Sequence, residues 1–257
     1  MSLHRLSSGA GPGLALLHGW GLHGGLFTDF ARGLEERLRL HALDLPGHGR
    51  SPWAKGCADL EGIARRVAEH LPERVSLLGW SFGGLVAVRI ATRFPERVEK
   101  LVLVASTPCF LRRRDWPHGL EAPALESMAR GLARDWQATV RDFLTLQVRG
   151  DEHQLETLRE LKRLLPEHGP PSTGALAAGL EILRSVDLRA ELARVRAPTL
   201  VIAGALDRLT PPGASQALAA GIAGAELEIV AHAAHAPFLS HRERVTERVG
   251  DFVATPP

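Results

Sequence analysis

The chain has 257 residues, 45% of them hydrophobic and 23% charged, enough to bury a large core in one domain with an elaboration or in two small ones. A formal net charge of +2 gives no global field that would draw nucleic acid or an anionic membrane. Two cysteines, Cys57 and Cys109, supply neither a disulfide framework nor a metal-ligand cluster, no run reaches transmembrane length, and the first residues lack an apolar leader, so the cytoplasm is the expected location.

In chain order, Leu14-Ala15-Leu16-Leu17 reads as a short buried strand ending at His18-Gly19-Trp20-Gly21. Helical spacing follows through Leu26, Phe30, Leu34 and Leu38. A second strand, His41 to Asp44, closes on the loop Leu45-Pro46-Gly47-His48-Gly49-Arg50-Ser51. Residues 59–71 form an amphipathic helix with Asp59 as N-cap. The apolar run Val75 to Leu78 leads into Gly79-Trp80-Ser81-Phe82-Gly83, and residues 84–93 lead out as a helix. Leu101 to Ala105 is a continuous apolar strand, as expected where both sheet faces are covered. Strands alternating with helices predict right-handed βαβ units and a mostly parallel sheet flanked by helices, an α/β fold. The alternation stops between about Phe110 and Ser185, where helical periodicity runs over 124–148 and 153–165 up to the break at Pro170-Pro171. It resumes with a strand at 199–203, a helix near 213–221, a strand at 226–230 and a last helix over about 242–253. The expected organisation is a core of residues 1–109 and 186–257 with a helical cap, residues 110–185, inserted in it.

Gly-x-Ser-x-Gly between a strand and a helix is the pattern of a nucleophile exposed on a tight turn, with free N–H groups of the helix start aimed at the same place. Ser81 then needs a base. His232 and His235 both lie in the loop after the 226–230 strand, and Asp207 lies just past the 199–203 strand. The order Ser, Asp, His, each following a different strand, is that of the α/β hydrolases. Of the two histidines, His235 is the expected base and His232 its competitor. Cys109 is expected to be a small buried thiol, and Asp44 and His48 to shape their loop.

His18-Gly19, Asp44…Gly47-His48-Gly49-Arg50-Ser51, Gly79-Trp80-Ser81-Phe82-Gly83-Gly84, Asp207 and His235 together resemble an α/β hydrolase over nearly the whole chain. Longer strings are similar to the pimeloyl-acyl-carrier-protein methyl ester esterases of biotin synthesis: Leu17 to Leu22, Ala105 to Phe110, Phe143 to Gln147, Gly179 to Leu183 and Ala233 to Phe238. The resemblance implies a serine carboxylesterase with no cofactor and no metal, acting on a small or carrier-linked methyl ester. It implies Ser81 as nucleophile, His235 as base and Asp207 as the acid that orients it. The N–H groups of Trp20 and Phe82 would form the oxyanion hole. Trp20, Ser81, Phe82, Phe143, Leu144, Thr145, Leu146, Gln147 and His235 would contact substrate, and Trp80 would line the apolar acyl slot with Trp20, Phe82 and Phe143 to Gln147.

On one continuous helix over 130–148, at roughly 100° per residue, Arg130, Arg134 and Arg141 fall on one face and Leu132, Trp136, Val140, Phe143 and Leu144 on the other. The resembled family binds an acidic acyl carrier protein, and the resemblance implies Arg134, Arg141 and, from the next helix, Arg159 as candidate contacts for it. Ala138, Asp142 and Leu155 stand where other carrier-contacting arginines of the resembled family would be. The rival readings are a general short-chain carboxylesterase, a C–C bond hydrolase, and a ligand receptor on the same fold. A monomer without membrane or nucleic-acid partners is expected.

Overall fold

The computed structural model describes residues 2–255. Seven strands form one sheet: β1 (Arg5–Ser8), β2 (Gly13–Leu17), β3 (Arg39–Leu43), β4 (Val75–Trp80), β5 (Val98–Val104), β6 (Thr199–Gly204) and β7 (Glu226–Val230). Their order is β1-β3-β2-β4-β5-β6-β7, with β1 antiparallel to β3 and every other pair parallel. β4 and β6 are buried along their whole length, which is why they read as unbroken apolar runs. Alternation within them still sorts the core. Leu77, Leu101 and Val201 face one side, with Ile63, Val67 and Leu85; Leu78, Val102 and Leu200 face the other, with Phe30, Leu34 and Val249.

Among the described residues ten α-helices complete the fold. α1 (Thr28–Arg32), α2 (Leu60–Ala68) and α3 (Phe82–Arg93) lie between the early strands. α4 (Ala122–Arg134), α5 (Trp136–Val148), α6 (Gln154–Leu164) and α7 (Thr173–Ser185) all fall between β5 and β6. α8 (Pro212–Ala220), α9 (Pro237–Ser240) and α10 (Arg242–Ala254) follow. Local chemistry sets several ends. The Asp59 carboxylate accepts the N–H of Gly62 at the start of α2, and Ser172 that of Ala175 at the start of α7. Lys100 Nζ, buried on β5, donates to the carbonyls of Phe252 and Thr255 at the end of α10, where a cation also meets the negative end of the helix dipole.

Three elements depart from the sequence reading. β1 is an exposed edge strand with no apolar alternation to announce it. The helix α7 follows the Pro170-Pro171 break where none is expected. The single helix over 130–148 is two. Asp135 is extended (φ −153°, ψ 92°) and its carboxylate accepts the Ala138 N–H, so it caps α5 rather than continuing α4.

Candidate active site

Ser81 stands at the end of β4 with φ 55° and ψ −117°, a conformation that a side-chain-bearing residue holds only when its surroundings impose it. Here they do. The Ser81 N–H donates to Val104 O (3.0 Å), and Ser106 Oγ donates to Ser81 O (2.9 Å). A Cβ on Gly83 would lie 2.1 Å from Leu17 O, and one on Gly84 would lie 2.1 Å from Ser106 Oγ. Only the absence of side chains lets the start of α3 press so closely against β2 and the end of β5.

Beyond the strand ends, three side chains join. Ser81 Oγ donates to His235 Nε2 (2.9 Å), and His235 Nδ1 donates to Asp207 Oδ2 (2.8 Å). Asp207 Oδ1 accepts the N–H groups of Leu209 (2.8 Å) and Thr210 (3.0 Å), and Oδ2 also accepts the Thr210 hydroxyl (2.6 Å). These donors hold the carboxylate plane toward the imidazole and fix its tautomer. All three residues are buried. His232, the competitor, is exposed, with φ 61°. Thr210 escaped the sequence reading, although an acid followed three residues later by Thr is a local turn signal.

The loop after β2 reaches the same place, since a Cβ on Gly19 would lie 3.5 Å from Ser81 Cβ. Two histidines shape this loop. His18 Nε2 accepts the Leu45 N–H (2.9 Å) while its Nδ1 donates to Gly19 O (2.8 Å). His48 Nε2 accepts the Gly21 N–H (3.3 Å) and its Nδ1 donates to Pro46 O (3.1 Å). Burial pushes His18 down to about 3 and His48 down to about 4, so both are neutral near pH 7. Asp44 accepts the N–H groups of Gly24 and Arg50. Loop shaping, the role expected of Asp44 and His48, is thus their visible one.

This arrangement has counterparts among known proteins. Residues 12–242 match the alpha/beta hydrolase fold family. The chain belongs to that family. It is 46% identical to a pimeloyl-[acyl-carrier protein] methyl ester esterase of Nitrosomonas europaea, over 95% of this chain and 96% of the relative. It is 42% identical to one of Stenotrophomonas maltophilia, over 98% and 96%. An esterase from Exiguobacterium antarcticum superposes with a TM-score of 0.90 at 25% identity, covering 98% of this chain and 96% of that one. The relatives put this α/β hydrolase in the pimeloyl-[acyl-carrier protein] methyl ester esterase family.

In this α/β hydrolase the helices after β5 roof the site. Trp20 lies edge-on to Phe143 of α5 (centroids 5.3 Å apart), and its indole N–H donates to Leu176 O of α7 (2.9 Å). A Cβ on Gly179 would lie 2.6 Å from the Trp20 ring and 3.8 Å from Phe82, so α7 packs down on both aromatics. Gln147 is buried, and its Oε1 has no hydrogen-bond partner among the described residues. Its backbone carbonyl accepts the His235 N–H (3.0 Å).

Three sequence-predicted placements need correction. Thr145 and Leu146 do not face the site: Thr145 is exposed, and Leu146, 43% exposed, lines an outer groove between α4 and α5. Phe143, Leu144, Gln147 and Val148 occupy the buried stripe of α5, and helical spacing puts the intervening pair outside. Trp80 is not beside the Trp20–Phe143 pair either. It lies on the opposite face of the sheet, packed on Phe238 (centroids 4.8 Å), and its indole N–H donates to His235 O (2.8 Å), bracing the imidazole from behind. The arginine stripe is also divided. Arg130 and Arg134 border the α4–α5 groove, Arg141 borders a second groove beside Trp136 and Pro170, and Arg159 stands on α6. All four are exposed.

One residue that sequence reasoning missed ties roof to core. Asp151, buried just past α5, accepts the N–H of Ala234 (2.7 Å) and the Ser240 hydroxyl (2.8 Å) on Oδ2 and the His153 N–H (2.9 Å) on Oδ1. It thereby holds the residue next to His235. No spacing signal marks a contact of this range.

Proposed function

We propose that this protein is a serine carboxylesterase that hydrolyses the methyl ester of a pimeloyl chain carried on acyl carrier protein, a step of biotin synthesis. The observation that carries this reading is the Ser81–His235–Asp207 hydrogen-bond chain beneath the roofing helices, in a chain so similar to proteins of that named activity.

The chemistry follows from the atoms. Ser81 Oγ attacks the ester carbonyl carbon as His235 Nε2 takes its proton, and Asp207 stabilises the resulting imidazolium. The carbonyl oxygen becomes an oxyanion, with the backbone N–H groups of Trp20 and Phe82 as its donors; losing one such donor typically costs about 10²–10³ in rate. His235 returns the proton to the leaving methoxide. Methanol departs, leaving the acyl group on Ser81. Water, deprotonated by His235, then attacks the acyl-enzyme and releases the carboxylate. Trp20, Phe82 and Phe143 offer an apolar channel to the acyl chain.

Residues 110–185 act in this reading as a cap, and its exposed arginines Arg134, Arg141 and Arg159 guide the acidic carrier. Among the described residues these three form no ion pair, which leaves them available to a partner. They stand on separate elements, so the contact is spread over the cap and not concentrated in one stripe. A cytoplasmic, monomeric enzyme goes with this reading; no helix among the described residues is long and apolar enough to cross a membrane.

The test is incubation with pimeloyl-carrier methyl ester, with loss of the methyl group followed by mass, beside a free methyl ester of the same acid. A kcat/KM at least tenfold higher on the carrier-linked form is expected. Equal values would make the protein a general carboxylesterase, and no turnover of either would remove the proposal.

A further inference from the structure

A second group of chemistry-bearing side chains lies at the other end of the loop after β3. Asp44 is fully buried, with the N–H of Gly24 on Oδ1 (2.7 Å) and that of Arg50 on Oδ2 (2.8 Å). His168, from the segment between α6 and α7, places Nδ1 3.0 Å from both carboxylate oxygens. His4 meets the His168 ring edge-on, with centroids 5.2 Å apart. Its Nε2 is buried and has no hydrogen-bond partner among the described residues. One ligand atom from each of His4, Asp44 and His168 lies within 4.8 Å of the others.

We propose that His4, Asp44 and His168 bind one divalent transition metal of the zinc class, which clasps the α6–α7 segment to the sheet. Two imidazole nitrogens and one carboxylate oxygen suit zinc, and the fourth position is left for water. The ion supplies the positive charge that Asp44 faces and a partner for the imidazoles. The buried Nε2 of His4, unpartnered among the described residues, is the atom that turns its lone pair to the ion. The metal replaces the His168 N–H···carboxylate contact, with the ring proton held on the other nitrogen.

Support around the ligands is already in place. The two N–H groups on Asp44 orient the carboxylate. His23 stacks on His168 (centroids 4.4 Å, 20° between planes) but is not a ligand: its Nε2 donates to Leu164 O and Leu165 O, and its Nδ1 accepts the Gly25 N–H. A groove of about 490 Å³ lined by Ser2, His4, Arg50 and His70 opens beside His4 and offers an entry path. None of the three ligands belongs to the Ser81–His235–Asp207 chain, so the site acts on the fold and not on the reaction.

The test uses the full chain, stripped with EDTA, dialysed, and titrated with zinc chloride. Equilibrium dialysis with elemental analysis is expected to give one zinc per chain. At a free zinc concentration 100 times the Kd, Tm is expected to rise by about 5–10 °C. His168→Gln and His4→Gln should each weaken binding by more than the roughly 10–100-fold typical of a supporting residue, with esterase activity on p-nitrophenyl butyrate retained. His4 is only partly buried, so His4→Gln carries the test if His168→Gln fails to fold. His153→Gln, in the exposed Glu152–His153–His241 group, should bind zinc as the parent does. The proposal is overturned if the folded, EDTA-treated protein takes up no zinc at millimolar concentration, if binding survives both His4→Gln and His168→Gln, or if it disappears in His153→Gln.

Discussion

The loops at the strand ends and the helices above them hold their charged groups in opposite ways. The Asp207 carboxylate takes four hydrogen bonds from protein donors, and the His235 backbone is gripped at its N–H by Gln147 and at its carbonyl by Trp80. Arg134, Arg141 and Arg159 on the helices are exposed and, among the described residues, form no ion pair. Interior bonding fixes one set in place and solvent leaves the other mobile, as the proposed chemistry and the proposed steering of a carrier respectively need. Asp151 and Gln147 cross the divide, being roof residues that bond to the loop carrying His235.

The largest expected effect lies in the loops. Ser81→Ala and His235→Ala should each lose about 10⁶ in kcat on an activated ester, and Asp207→Asn about 10⁴. Ser81→Ala should also end labelling by an organophosphonate. Full activity in Ser81→Ala would move the chemistry elsewhere.

Acid should strike the same region. His18 and His48 titrate near 6.5 when unfolded but at about 3 and about 4 when folded, because burial disfavours their charged forms. Above pH 6.5 they are neutral in both states and cost nothing. As pH falls from 6.5 toward 4 the unfolded chain binds two protons that the folded chain does not. Stability should then drop by about 1.4 kcal/mol per pH unit per histidine. His4, His23 and His41 are lowered too, desolvation being the largest cause in each. Urea midpoints at pH 7, 6 and 5 would show the slope, and His48→Gln should reduce it. A flat profile would mean that these rings gain protons without unfolding.

Asp151→Asn tests the crossing point. Releasing the Ala234 N–H should let the imidazole drift and lower kcat by about 10–100-fold, with KM little changed. A change in KM alone would mean that Asp151 supports only the roof. The smallest effect belongs to the arginines. Arg141→Glu with Arg159→Glu should raise KM for the carrier-linked ester about 3–10-fold and leave p-nitrophenyl butyrate hydrolysis unchanged, and added salt should erase the difference. Equal slowing of both substrates would make these residues structural.

What was legible in the sequence follows the same division. Gly79 to Gly83 reports its own turn, and strands 199–203 and 226–230 announce themselves as apolar runs, so Ser81, Asp207 and His235 could be named from local pattern and chain order. The Asp135 break was hidden because apolar spacing continues across it; only its capping chemistry, an Asp followed three residues on by the Ala138 N–H, marks the boundary. β1 carries no alternation because its residues are exposed. The Asp151–Ala234 bond and the Asp44–His168 pair join residues 83 and 124 positions apart, and no local pattern encodes such distances.

The close contacts of Gly83 and Gly84 bear on how the protein is born. The Ser81 turn is shaped by Leu17 on β2 and by Val104 and Ser106 at the end of β5, so it has no mould until those strands have paired with β4. The hydroxyl cannot be poised in a half-assembled sheet. Recovery of ester cleavage after dilution from denaturant is therefore a clock for the last stage of sheet assembly, and a collapsed precursor on the way there is silent toward substrate however much helix it contains.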